Sequence, residues 1–293
     1  MMRLDLDHVG VAVRDLDAGF DRYSRLGFRL TSRSLHAGAI VAGGPVQPWG
    51  SGNHCAMLAE GYLEVIGLTD PALPSSVKSL VERYEGLHIV AIGCANADEA
   101  HAALAAAGLP VEGVRALERD ASFGVHDEQT RRARFRNLYV DRTAYPEARF
   151  LFIEHLTRDT LWQPHLLEHP NGATQVEALW MVAEDGPATA AKLGALLRRV
   201  AVPGEKGIEI RLDRGTIAVV SPVQWRTWTG EEQLPPLPAP AGVSIGVNDL
   251  RHTEAFLESA GVAFRRIGVG AGREGIFVSP REACGAGLVF TQS

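Results

Sequence analysis

One arrangement recurs four times along the chain: an apolar strand, a helix, then further short β-rich pieces. The units open at "DHVGVAVRDLDAGFDRYSRLGF", "LHIVAIGCANADEAHAALAAAGLPV", "VEALWMVAEDGPATAAKLGALLRRVAV" and "GVSIGVNDLRHTEAFLESAGVAF". From His8 to Gly27 is 19 positions, from His88 to Gly108 is 20, and from Gly242 to Gly261 is 19. Such even spacing predicts one βα unit used repeatedly. Phe20, Tyr23 and Leu26 make one apolar stripe of the first helix, glycine closes three of the helices, and Pro187 suits the first turn of another. The following pieces, among them "GYLEVIGL", "ARFLFIEHL", "TIAVVSP" and "GLVFTQ", are short, rich in β-formers and bounded by Gly or Pro. Each unit therefore reads βαβββ. Joints fall near residues 70–85, 158–173 and 222–241, and the prolines of the last mark a linker. Units one and two form an expected N-terminal domain (1–165), and units three and four a C-terminal domain (172–293).

Bulk properties exclude several classes. Among 293 residues, 46% are apolar and 22% charged, as in an ordinary water-soluble domain. A net charge of −6 offers nothing to nucleic acid or an anionic membrane. No apolar run approaches the ~20 residues of a membrane helix, and the N-terminus enters a strand pattern at once, unlike a signal peptide. The three cysteines, Cys55, Cys94 and Cys284, have no CxxC spacing, and a reduced cytoplasmic setting suits them. Cys55 and Cys94 sit in strand patterns and read as small core residues. No Walker, dinucleotide or G-x-S-x-G fingerprint appears.

The opening "DHV.VAV.DLDA....Y..LGF" resembles the vicinal oxygen chelate superfamily, and "GSGNHCAMLAEGYLEVIG" with "FLFIEHL…HPNGA" resembles its glyoxalase-like members. The resemblance implies an α+β fold of four βαβββ modules paired into two curved eight-stranded mixed sheets. It also implies a divalent metal (Zn, Ni, Mn, Fe or Co) held by His8 and Glu64 from unit one and His88 and Glu154 from unit two. Strand alternation puts Tyr62, Glu64 and Ile66 on one face, and Phe150, Phe152 and Glu154 on one face. A carboxylate among such neighbours needs a cation or a proton. Two imidazoles and two carboxylates would make a mixed nitrogen/oxygen site.

The implied chemistry is Lewis-acid polarisation of a small oxygenated substrate by a lyase or isomerase, with Glu154 as the candidate base and Glu64 as the steadier ligand. Two alternatives stand beside it. An extradiol-type dioxygenase needs only His8, His88 and Glu154, and a sequestering module needs no metal at all. Ala178 and Gly242 stand opposite His8 in the C-terminal units, whose closing strands lack the carboxylates, so that half keeps the fold without the ligand set. His54 is a candidate substrate contact or support. His155, beside Glu154, faces the opposite way and reads as structural or surface. The long Gly/Pro-rich stretch 31–52 reads as a lid or binding edge with His36 and Trp49 as substrate contacts. Arg115, Arg119, Arg131, Arg132, Arg134 and Arg136 belong to an arginine-rich segment, most of it expected to be a solvated loop, where an arginine can hold a substrate carboxylate. A small-molecule partner and a monomer or homodimer complete the expectations.

Overall fold

The computed structural model describes residues 2–38 and 44–293. Its first half carries β1 (Leu4–Val13), α1 (Leu16–Arg25), β2 (Ser34–Gly38), β3 (Gln47–Met57), β4 (Tyr62–Leu68), α2 (Lys78–Arg83), β5 (Gly86–Cys94), α3 (Ala97–Ala106), β6 (Arg115–Phe123), β7 (Gln129–Tyr139) and β8 (Arg149–His155). After α4 (Arg158–Leu161) the pattern repeats. It runs through β9 (Ala173–Val182), α5 (Gly186–Leu197), β10 (Ala201–Pro203), β11 (Ile208–Arg211), β12 (Thr216–Val220) and α6 (Pro222–Thr229). It closes with β13 (Ala239–Val247), α7 (Leu250–Ser259), β14 (Phe264–Gly270), β15 (Arg273–Val278) and β16 (Gly287–Gln292).

The strands form two eight-stranded mixed sheets of identical topology, β2-β3-β4-β1-β5-β8-β7-β6 and β10-β11-β12-β9-β13-β16-β15-β14. Within a module the first and last strands pair in parallel, and two modules join through an antiparallel pair, β1 with β5 and β9 with β13. The four βαβββ modules in two curved sheets are as expected. The helices obey their local signals. The carboxylate of Asp15 caps α1 by accepting from the amides of Asp17 and Ala18, and Asn96 and Asp249 do the same for α3 and α7. One face of each sheet, covered by helices, contributes to a single apolar core shared by both halves, from Leu4 and Leu6 through to Leu288 and Phe290.

The opposite faces differ. In the second sheet, α6 lies across the face and seats the fully buried Trp225 against Phe277, Val182, Val289 and Ala241. A Cβ on Gly242 would come within 2.5 Å of the Trp225 ring, so glycine there is what lets the indole reach the sheet. The stretch expected to be a linker is thus partly a plug. In the first sheet, α2 brings Val77, Leu80 and Val81 against Ala12, Ile66, Ile89, Ala91, Leu151 and Ile153, and the rest of that face stays open as a cavity. The arginine-rich segment is the hairpin β6–β7 rather than a loop, because its residues alternate between two faces of the sheet.

Candidate functional site

Strand register decides which polar groups reach the cavity. Val9 lies opposite Val90 at the centre of the β1–β5 pair, flanked by His8 opposite Ala91 and Gly10 opposite Ile89. The local two-fold through Val9 and Val90 therefore relates His8 to Ile89 and Gly10 to Ala91. Glu64 lies beside Gly10 and Leu151 beside Ala91, so the counterpart of Glu64 is Leu151. Each strand also carries one extra residue, where the register shifts between Leu6 and His8 and between Gly10 and Val11. These bulge residues are Asp7 and His88, which correspond to each other.

This corrects the expected quartet. His88 is the partner of Asp7, not of His8. Its ring stacks on Tyr84 at 3.9 Å between centroids, and its Nε2–H donates to the Tyr84 carbonyl at 2.8 Å. Glu154 does share a face with Phe150 and Phe152, but that face is turned to the helices. Its carboxylate accepts from the Ala97 amide at the start of α3 (2.9 Å) and lies 3.7 Å from Arg136. Only His8 and Glu64 line the cavity. Among the described residues no three His, Cys, Asp or Glu side chains are grouped to hold a metal. The residues present therefore do not fit the four-ligand centre, and Glu154 is not placed as a base for anything bound in the cavity. The spacing held the clue: Ile89, not His88, stands 19 positions before Gly108.

The cavity encloses about 480 Å³, within the usual range for small-molecule sites. Glu64 accepts from Asn53 Nδ2 at 2.5 Å through Oε1, and a Cβ on Gly10 would sit 3.1 Å from Oε2, so glycine keeps that oxygen uncrowded. Two arginines of the same lining are fixed by hydrogen bonds: Arg119 donates to Ser34 Oγ (3.1 Å), and Arg149 donates to the Ser76 carbonyl (3.4 Å). His36 contributes a ring 3.0 Å from Ser51 Oγ; burial lowers its pKa, against the pull of Glu64 and with the push of Arg119 and Arg149. Trp49 closes the edge, its indole donating to Gly38. His36 and Trp49 thus lie at the cavity, as do Arg115 and Arg119. Residues 39–43 of the expected lid lie outside the described residues. His54 is elsewhere: it faces α1, packs on Phe20 and donates to the Thr31 carbonyl. Neighbours in a strand alternate, and Asn53 and Cys55 take the cavity side.

A buried cluster adjoins His8. Asp7 Oδ1 lies 2.7 Å from His8 Nδ1 and 3.2 Å from His155 Nε2. The His8 ring stacks on Tyr62 at 4.1 Å, and its Nε2 is 3.4 Å from the Tyr62 hydroxyl. Burial opposes the charge on Asp7, but hydrogen bonds and attraction from His155 and then His8 outweigh it and hold the carboxyl well below its ordinary range. His8 Nδ1 is thus engaged by Asp7, and Nε2 is the ring nitrogen nearest the Tyr62 hydroxyl. Asp7 has no role assigned from sequence; His155, read there as structural or surface, does face away from Glu154 and is buried beside Asp7. The apolar residues Leu4, Leu6, Val9, Val11 and Val13 slip phase across Asp7 and His8, a legible sign that both polar side chains share a face.

The two eight-stranded sheets have the fold expected from the resemblance to the vicinal oxygen chelate superfamily. A family model described as a glyoxalase-like domain matches residues 6–197, and the chain belongs to that family. No curated protein sequence matches it. Among solved structures it is similar to a mutant of 4-hydroxymandelate synthase from Streptomyces coelicolor (16% identity, TM-score 0.58, covering 100% of this chain and 93% of that one). It is also similar to the Mn(II)-bound glyoxalase from Novosphingobium aromaticivorans (12%, 0.55, 100% and 83%). A third likeness is to homoprotocatechuate 2,3-dioxygenase from Arthrobacter globiformis (13%, 0.53, 99% and 79%). At such identities the likeness is one of fold. No helix of the described residues is long and apolar enough to cross a membrane.

His88 has a measurable signature as a packed residue. Burial depresses its pKa from 6.5 to about 4, the Tyr84 hydrogen bond opposing and Arg83, Arg149 and Arg142 assisting. Between those values the unfolded chain holds the proton and the folded one does not. Stability is therefore full above pH 6.5 and falls as pH drops towards 4, by up to about 3 kcal/mol. Urea titrations of the wild type and His88→Phe at pH 7.5 and 4.5 check this. The variant should lose less stability on acidification, and equal losses would contradict the assignment.

Proposed function

We propose that the N-terminal cavity binds a small oxygenated organic anion and moves a proton on it, as an isomerase or lyase. The observation that supports this reading is one cavity walled by Glu64, His8 and three arginines, Arg115, Arg119 and Arg149, while Ile89 and Leu151 occupy the positions related to His8 and Glu64 by the local two-fold. Arg119 and Arg149 hold the anionic group, since a guanidinium matches a carboxylate in shape and charge. Glu64, anchored through Oε1, takes a proton through Oε2 from a carbon next to a carbonyl. The C–H electron pair becomes the enolate double bond and the charge passes to oxygen. The hydroxyl of Tyr62 beside His8, with Asp7 behind the imidazole, supplies the polar contact for that oxygen and a route for returning a proton.

A ring-cleaving dioxygenase site of His8, His88 and Glu154 is not favoured, because the register turns the last two away. A divalent metal held by the quartet is disfavoured for the same reason, and no step is assigned to one. The test is hydrogen–deuterium exchange at the carbon of pyruvate, 2-oxoglutarate and phenylpyruvate in D2O, followed by proton NMR. The wild type should catalyse exchange with at least one of them after chelator treatment, and Glu64→Gln should lower the rate by roughly 10²–10⁴-fold. An unaltered rate in the variant would overturn the role of Glu64. Saturable binding without exchange would leave a sequestering protein.

A further inference from the structure

The cavity wall formed by β7 presents Phe135, Asn137 and Tyr139 on one face, with Leu151 and Ile153 of β8 alongside. Asn137 is the anomaly among them. It is only 8% exposed; its Nδ2 donates to the Tyr139 hydroxyl at 3.3 Å, and its Oδ1 is buried with no partner in the protein. A buried carboxamide with one end unmet is costly, and native interiors rarely keep one without a use. Exchanging the two ends of the amide does not remove the difficulty. The Tyr139 hydroxyl can serve either end, but only one, so the other stays buried and unpaired in a residue that lines the cavity. The surroundings say what kind of ligand meets it. Arg149 lies in the same wall, and Arg115 stacks over the Tyr139 ring at 5.4 Å, so positive charge and aromatic surface flank the amide.

We propose that Asn137 is a specificity-determining residue which selects, among organic anions, those carrying a hydroxyl group. The anion is held by Arg119 and Arg149, and the hydroxyl donates its proton to Asn137 Oδ1. The inference rests on the anion-binding reading above and narrows its substrate class. A site built to pair a hydroxyl discriminates sharply against the analogue lacking it, because the deoxy ligand leaves the buried acceptor unmet. Apolar recognition by Phe135, Tyr139 and Leu151 alone would show no such preference.

The experiment is calorimetric titration with three matched pairs: 3-hydroxybenzoate and benzoate, malate and succinate, lactate and propionate. In at least one pair the wild type should bind the hydroxylated member about tenfold tighter or more. Asn137→Leu should abolish that preference while still binding the deoxy member, and its Tm should be unchanged or raised, since an unmet polar group has been removed. Asn137→Asp, which puts a negative charge beside the anion, should weaken both members. Arg149→Met should weaken both members in the wild-type background too. Equal affinities within every pair, or a preference surviving in Asn137→Leu, would overturn the role of Asn137 and leave anion binding standing. No saturable binding of any of the six by the wild type would overturn both.

Discussion

Asp7→Ala should cost about 3–5 kcal/mol of stability in urea at pH 7, the loss expected when one partner of a buried charged cluster is removed. Asp7 is 3% exposed and is the only described side chain hydrogen-bonded to both His8 and His155. Without it each imidazole keeps a buried ring nitrogen with nothing to receive its proton, and the second ring nitrogen of His155, Nδ1, already lacks a partner. The variant should change the site as well. In nitrogen-15 NMR of the wild type, the His8 ring should carry its proton on Nδ1; in Asp7→Ala that bias should disappear. The pH dependence has a definite sign. The folded-state pKa of Asp7 is depressed, so its contribution is complete above the ordinary carboxylate value of 3.8 and disappears as pH falls below it. The gap between wild type and variant should therefore narrow in acid. A gap independent of pH, or below about 1 kcal/mol at neutrality, would mean that the cluster is held by packing rather than charge.

Trp225→Ala should be comparably damaging in the other half. The indole is fully buried and fills the face that in the first sheet stays open. Truncating a buried aromatic to alanine costs about 3–5 kcal/mol, because the lost contacts are compounded by a cavity the neighbours cannot close. Gly242 and Gly287 make collapse harder, since neither has a side chain to move into the space. The expected result is a markedly lower Tm, measured by calorimetry, with ligand binding by the folded fraction unchanged at the first cavity. A loss below 1 kcal/mol would show that α6 rests on the sheet without plugging it. Altered binding at the first cavity would show that the two faces communicate.

Trp225 also explains the unequal halves. Both sheets have the same strand order, and both modules that open them place a helix after the fourth strand. In the first half that helix is the short α2, which covers the face with valine and leucine and leaves about 480 Å³ open. In the second half it is α6, and its tryptophan occupies the space. The absence of polar counterparts to His8 at Ala178 and Gly242, visible in the sequence, follows from this. A plugged face has no use for an imidazole.

The four-fold repeat, the helix ends at Gly27, Gly108 and Gly261, and the facing of Tyr62, Glu64 and Ile66 were all readable from alternation, caps and spacing. These signals are local: a helix cap or a two-residue period is written within a few positions. His8, Glu64, His36 and Trp49 were also singled out from sequence and do lie at the cavity. The register does not pair His88 with His8, Glu154 does not face the cavity, and of the roles open to His54 it takes hydrogen-bonded support rather than a place in the cavity lining. Each of those depends on which face of a strand meets the open side of the sheet, and a single-residue bulge reverses it. The bulge at His88 is settled by the pairing of β5 with β1, which lie some eighty positions apart. Local composition therefore sufficed for the modules and for candidate polar groups. Their convergence depended on long-range register, because the free energy that selects a register is the burial of a whole face and not the preference of any one residue in it.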